Sequence, residues 1–127
     1  MTKSSAYRSG LEKKFAEAAP RGAFKYEPYK VPYVVYRDYI PDFVYTATNG
    51  YSYLIECKGY FRQGDTQKYK AIRDSLEGAE LVFLLSDEYK KVRKGSKMTM
   101  GQWCEKEKLP YFTMKNLDKL FEYVGLE

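Results

Sequence analysis

Ile40-Pro41-Asp42-Phe43 and, beyond a polar connection holding Asn49-Gly50, Tyr53-Leu54-Ile55-Glu56-Cys57-Lys58-Gly59 decide the fold. Apolar and aromatic residues flank a turn-forming dipeptide, so the stretch reads as a β-hairpin. Alternate residues of a strand share a face, which sets Glu56 and Lys58 on one side and Ile55 and Cys57 on the other. The residue opposite Asp42 depends on the loop. An odd number of loop residues brings Asp42 against Glu56, with Cβ atoms roughly 5 Å apart. Two carboxylates so placed repel unless something positive lies between them. A hard cation such as Mg²⁺ is held by one or two carboxylates together with water and substrate phosphates, so this pair suffices. Lys58, on the same face, is placed to orient a water or to offset charge developing on phosphorus. Each residue also has a plainer role. Asp42 after Pro41 serves as a turn residue, and Glu56 with Lys58 as a solvated strand face.

The chain has 127 residues, the size of one domain with a buried core. Lysine and arginine number 22 against 17 aspartates and glutamates, for a net charge of +5. That balance suits a polyanionic partner but is mild enough for an ordinary surface. Histidine is absent, which removes Ser-His and Cys-His catalysis and histidine-ligated zinc. Acid and lysine chemistry remains. Cys57 and Cys104 are too far apart for a CxxC metal site, and their apolar neighbours suggest buried, reduced thiols. Nothing at the N-terminus resembles a signal peptide, and no apolar run approaches the roughly 20 residues that span a bilayer. A soluble cytoplasmic protein without a membrane partner is expected. The 14 tyrosines fit strand positions with buried rings and wet hydroxyls.

Taken in order, Ser9-Gly10-Leu11-Glu12 fits a capping box, followed by an apolar face at Leu11, Phe15, Ala18 and Ala19. Glu12 then accepts the first backbone donors of a helix, or serves as a third carboxylate. Phe24 to Tyr36, broken by Pro28 and Pro32, reads as an edge or bridging strand, apolar enough that a second copy of the chain would cover it. Gly64-Asp65-Thr66 opens a helix with Tyr69, Ile72 and Leu76 inward and Gly78 as its stop. Leu81 to Leu85 is an unbroken apolar strand, expected to run parallel to the Glu56 strand. The basic run Lys90, Lys91, Arg93, Lys94, Ser96 and Lys97 reads as a flexible loop that grips phosphates. Thr99 caps a third helix through Trp103, a core residue, and Asn116 to Val124 form a fourth with Leu117, Leu120, Phe121 and Val124 inward.

Asp42, Glu56 and Lys58 together resemble the Pro-Asp…Glu-x-Lys motif of the PD-(D/E)xK nuclease superfamily. Longer segments resemble one family within it, phage endonuclease I, the Holliday-junction resolvase of short-tailed phages. These are Tyr7 to Glu12, Lys30 to Tyr33, Pro41 to Phe43, Glu56 to Gly59, and Lys94-Gly95-Ser96 leading to Trp103 to Lys106. The resemblance implies an α/β fold: a mixed β-sheet flanked by helices, with a PD-(D/E)xK nuclease-like core in an intertwined, domain-swapped homodimer. Residues 9–33 would be the exchanged helix and strand, 34–40 a bridge, and 41–127 the catalytic core. It implies Asp42 and Glu56 as metal ligands, with Lys58 and Glu12 completing the catalytic set, the latter in the partner's site. Arg8 and the 90–97 run would contact DNA. The cofactor would be Mg²⁺, with Mn²⁺ able to substitute. The substrate would be branched DNA, above all four-way junctions, met in the host cell's cytoplasm. Three departures stand out: a shorter bridge, Lys25 at an acidic position of the family with Glu27 nearby, and no basic extension at the tail. A nicking or repair nuclease on duplex DNA, and a DNA-binding domain without catalysis, are the alternatives.

Overall fold

The computed structural model describes residues 7–126, and contacts within the chain gather into two compact units, Met1–Arg37 and Asp38–Glu127. In the N-terminal unit, helix α1 (Gly10–Ala18) is capped by Ser9, whose hydroxyl accepts from the Glu12 N–H. Glu12 Oε1 accepts from the Arg8 N–H and from the Tyr26 hydroxyl. Edge-on aromatic pairs, Tyr7 with Tyr26 and Phe15 with Phe24, join the helix region to the segment after it. No residue of α1 is buried, and Leu11 is 78% exposed. The apolar stripe is present, with Leu11 and Phe15 exposed. The strand expected from Phe24 to Tyr36 does not form: the segment has no regular pairing, and Tyr29, Val31, Tyr33, Val34 and Tyr36 are exposed. Pro28 and Pro32 each remove a ladder donor, and an extended segment without a neighbouring strand has nothing to pair with.

The second unit is built on one four-stranded sheet in the order β1-β2-β3-β4. Strands β1 (Phe43–Thr46) and β2 (Ser52–Lys58) form the expected hairpin, with Phe43 paired to Ile55 and Thr46 to Ser52. Asn49 Oδ1 accepts from the Tyr51 N–H, and Gly50, at φ 89°, takes a backbone conformation that side chains disfavour. Helix α2 (Asp65–Ser75) then carries the chain to β3 (Ala79–Leu85), parallel to β2 throughout its length. Beyond β3 lies β4 (Tyr111–Phe112), a two-residue parallel strand too short for any periodicity to announce. The sheet is mixed, as the hydrophobic patterning implied.

Strand β3 divides the core. Leu81, Phe83 and Leu85 point to one face, where Tyr69 of α2 and Met100, Trp103 and Cys104 of α3 (Met100–Lys106) cover them. Val82 points to the other, against Leu120 and Val124 at α4 (Leu117–Tyr123). The α3 cap is a complete capping box between Thr99 and Gln102. In α4 the inward set is smaller than its spacing suggested, because Phe121 remains 43% exposed.

Cys57 also departs from expectation. Cys104 is buried at the α3 face, where desolvation pushes its thiol up to about 12, but Cys57 is exposed on the face away from Glu56. Strand alternation fixes that face. Titration of the native protein with a thiol reagent should accordingly modify one cysteine, Cys57, and reach Cys104 only on unfolding. Equal rates for both would contradict this placement.

Candidate active site

Continuing the hairpin pairing one residue past Phe43 and Ile55 sets Asp42 opposite Glu56. The connection, residues 47–51, is odd in number, the condition for that register. Asp42 Oδ2 accepts the Cys57 N–H at 2.8 Å, which ties its carboxylate to the end of β2. Asp42 therefore does act as a local backbone partner, and it does so beside Glu56.

Glu56 is not on a solvated face. Its pairing with Phe83 turns it toward the layer of α2, and it is 7% exposed. The Tyr39 hydroxyl donates to Oε1, and the Tyr69 hydroxyl donates to Oε2 at 3.0 Å. Burial and these bonds to an anion push both phenols up from the ordinary tyrosine range, so they stay protonated and remain donors. Withdrawing a carboxylate from water costs several kcal/mol. Two bonds of about 1.5–3 kcal/mol each to the charged group offset much of that. Lys58 Nζ, 3.7 Å from Glu56 Oε2, supplies a positive charge.

Two carboxylates meet the protein's share of a Mg²⁺ shell that substrate and water complete. Among the described residues, no group of three or more His, Cys, Asp and Glu side chains is arranged to hold a metal. An ion at Asp42 and Glu56 would thus find no third such ligand among those residues. The donor set, hard oxygens without nitrogen or sulfur, fits Mg²⁺ and Mn²⁺ better than softer metals.

The basic segment is ordered rather than flexible. Residues 91 and 99 form an antiparallel bridge, the Val92 N–H donates to the Met98 carbonyl, and buried Val92 anchors the turn to the core. Lys91 Nζ donates to the Lys97 carbonyl, and the Ser96 hydroxyl accepts from the Met98 N–H. Lys90, Lys91, Arg93, Lys94 and Lys97 are exposed around it. The turn follows β3 at the carboxyl ends of the parallel strands, where α/β sheets hold ligands. Lys90 lies 5.6 Å from the centre of the Tyr60 ring, just past Lys58 and Gly59. The cations and the acids thus occupy one end of the sheet.

Glu12 and Arg8 belong to the N-terminal unit. Arg8 pairs with Glu27 at 2.6 Å, and Glu27 has a positive φ of 44°. The hydrogen bonds from Tyr26 and the Arg8 N–H hold the Glu12 carboxyl below its usual range. Tyr39, Tyr69 and Asp65 are members of the site that patterning did not single out. A buried tyrosine needs a partner for its hydroxyl, and that was the available signal for Tyr69.

The α/β sheet gathers two acids and a lysine at one end of a chain without histidine. The sequence profile of the phage endonuclease I family matches residues 1–125, and the chain belongs to that family. Its relatives include an endodeoxyribonuclease 1 of Enterobacteria phage T3, 32% identical over 99% of this chain and 80% of that protein. Endonuclease I of Escherichia phage T7 is 34% identical over 84% of this chain and 72% of its own length.

The Tyr69 hydroxyl is the more enclosed of the two donors to Glu56. Tyr69→Phe should therefore lower stability by about 1.5–3 kcal/mol, read from urea unfolding with unchanged m. A variant as stable as the parent would mean that the Glu56 carboxylate draws no support from α2.

Proposed function

We propose that the chain is a Mg²⁺-dependent endodeoxyribonuclease that resolves four-way junctions and other branched DNA as a homodimer. The observation that carries this reading is buried Glu56 with Lys58 on the same strand face 3.7 Å away, and Asp42, one residue before the last hairpin pair, bonded to the Cys57 N–H next to it. Membership in the phage endonuclease I family supports it, as do the relatives' names as DNA nucleases. The core is read as PD-(D/E)xK-like on the same grounds.

Asp42 and Glu56 would hold the cation, which when bound lowers the pKa of water and draws charge from the phosphate. Asp42 keeps its orientation through the Cys57 N–H, and Glu56 through Tyr39 and Tyr69. Such outer partners fix ligand geometry. Lys58 faces the phosphate as an ammonium that offsets charge in the transition state. Water adds to phosphorus as the bond to the leaving sugar oxygen breaks, and the proton that water gives up is balanced by one gained at that oxygen. The 90–97 turn holds neighbouring phosphates. Glu12 completes the partner's site in this reading. The uncovered apolar residues of the N-terminal unit, Leu11 and Val31 to Val35 among them, give a second copy a surface to bury. A dimer also suits the substrate, since resolution needs paired cuts and each chain has one such acid pair.

Incubation with a synthetic four-way junction and a matched linear duplex, each with Mg²⁺ or with EDTA, tests the proposal. Cutting of the junction in Mg²⁺ alone is expected. Equal cutting of the duplex points to the nicking alternative, and binding without cutting to a non-catalytic domain. Glu56→Gln and Lys58→Ala should each reduce cleavage at least about a hundredfold while junction binding persists. Loss of binding with turnover per complex unchanged would remove both from catalysis. Replacing Lys91 and Arg93 by glutamate should weaken binding instead and flatten its log-log salt dependence by about 0.9 for each phosphate no longer neutralised. An unaltered slope would show that the turn does not touch DNA.

A further inference from the structure

Lys58 has a second carboxylate partner that the mechanism above leaves unused. Its Nζ lies 3.5 Å from Asp65 Oδ2, slightly nearer than Glu56 Oε2, and 5.2 Å from the centre of the Tyr69 ring. Asp65 is the first residue of α2 and is only 8% exposed. A helix start alone does not account for that burial: Gly10, the first residue of α1, is exposed to water. A buried carboxylate is costly unless it is paired, and Asp65 has two partners, the Arg62 N–H at 2.9 Å and Lys58. The backbone bond fixes the carboxylate and the carboxylate meets the ammonium. Asp65 and Glu56 thus hold one lysine from two elements, α2 and β2.

We infer that Asp65 is the positioning residue for Lys58, keeping the ammonium in place when Glu56 is engaged by another cation. The inference rests on the reading of Lys58 as the lysine of a phosphodiester-cleaving site. An ammonium held only by Glu56 would lose its partner to a divalent ion at that carboxylate and be repelled by it. With Asp65 on a separate element, Lys58 retains an anion that the ion does not occupy. A long, flexible lysine side chain has many rotamers to lose, and its reaction geometry then depends on this second partner.

Asp65→Asn isolates the effect, since the amide oxygen still accepts the Arg62 N–H while the charge is gone. Lysine-selective NMR of the protein in Mg²⁺ without DNA, with Lys58 assigned by its loss in Lys58→Met, should show an immobile Lys58 amine in the parent and a mobile one in Asp65→Asn. On a junction substrate in Mg²⁺, the same variant should lower kcat by roughly tenfold to a hundredfold with KM unchanged. Asp65→Glu, which keeps the charge, should restore much of that loss, whereas a role in starting α2 would be served as well by Asn. A mobile Lys58 in the parent overturns the inference without recourse to any variant. So does a kcat within about twofold of the parent once Lys58 is freed, or a fall in kcat with Lys58 still immobile. Failure of the functional reading looks different: the parent itself leaves the junction intact, and both then fall.

Discussion

A carboxylate buried between a sheet and a helix governs this structure. Glu56 lies on the strand face that α2 covers, where an unpaired charge is not tolerated. The Tyr39 and Tyr69 hydroxyls and the Lys58 ammonium surround it, so the placement of α2, the segment before β1 and the end of β2 is tied to one anion. Apolar side chains would fill the same space with less electrostatic cost. That a carboxylate stands there, opposite a second one, is the physical basis for assigning this end of the sheet to chemistry.

The hairpin register and the parallel crossover cooperate in that assignment. The antiparallel pair ends with Asp42 bonded to the Cys57 N–H next to Glu56, and the parallel pair carries the chain from β3 into a turn rich in cations at the same end. Lys90 near the Tyr60 ring marks where the two features meet. The turn is held by its own backbone bonds and by Val92, so its charges are presented from a fixed support rather than from a wandering loop. Fixed cations lose less entropy on meeting a phosphate backbone.

Much of this was legible in the sequence, and the parts that were not share a cause. Short-range signals announced α1, α2 and α3 through their start or cap residues and β3 through its apolar run. Alternation put Glu56 and Lys58 on one face. It did not say which layer that face would meet, so a solvated face and a buried one read alike, and the exposed Cys57 was misplaced by the same ambiguity. Asp65 read as a helix start, which it is. Its pairing with Lys58 depends on where α2 lands, a property of tertiary packing with no local spacing to betray it. The stretch from Phe24 to Tyr36 has strand-like composition, but β-propensity describes fitness for a sheet surface, and no partner strand within the described residues lies beside it.

The central claim is that Asp42 and Glu56 share one cation. Anomalous X-ray scattering from crystals grown with Mn²⁺ tests it most directly. The account predicts a single strong peak between the two carboxylates, within bonding distance of an oxygen of each and with Lys58 outside the coordination shell. Manganese bound only elsewhere, with Glu56 still held by both phenols and Asp42 free of metal, would contradict it.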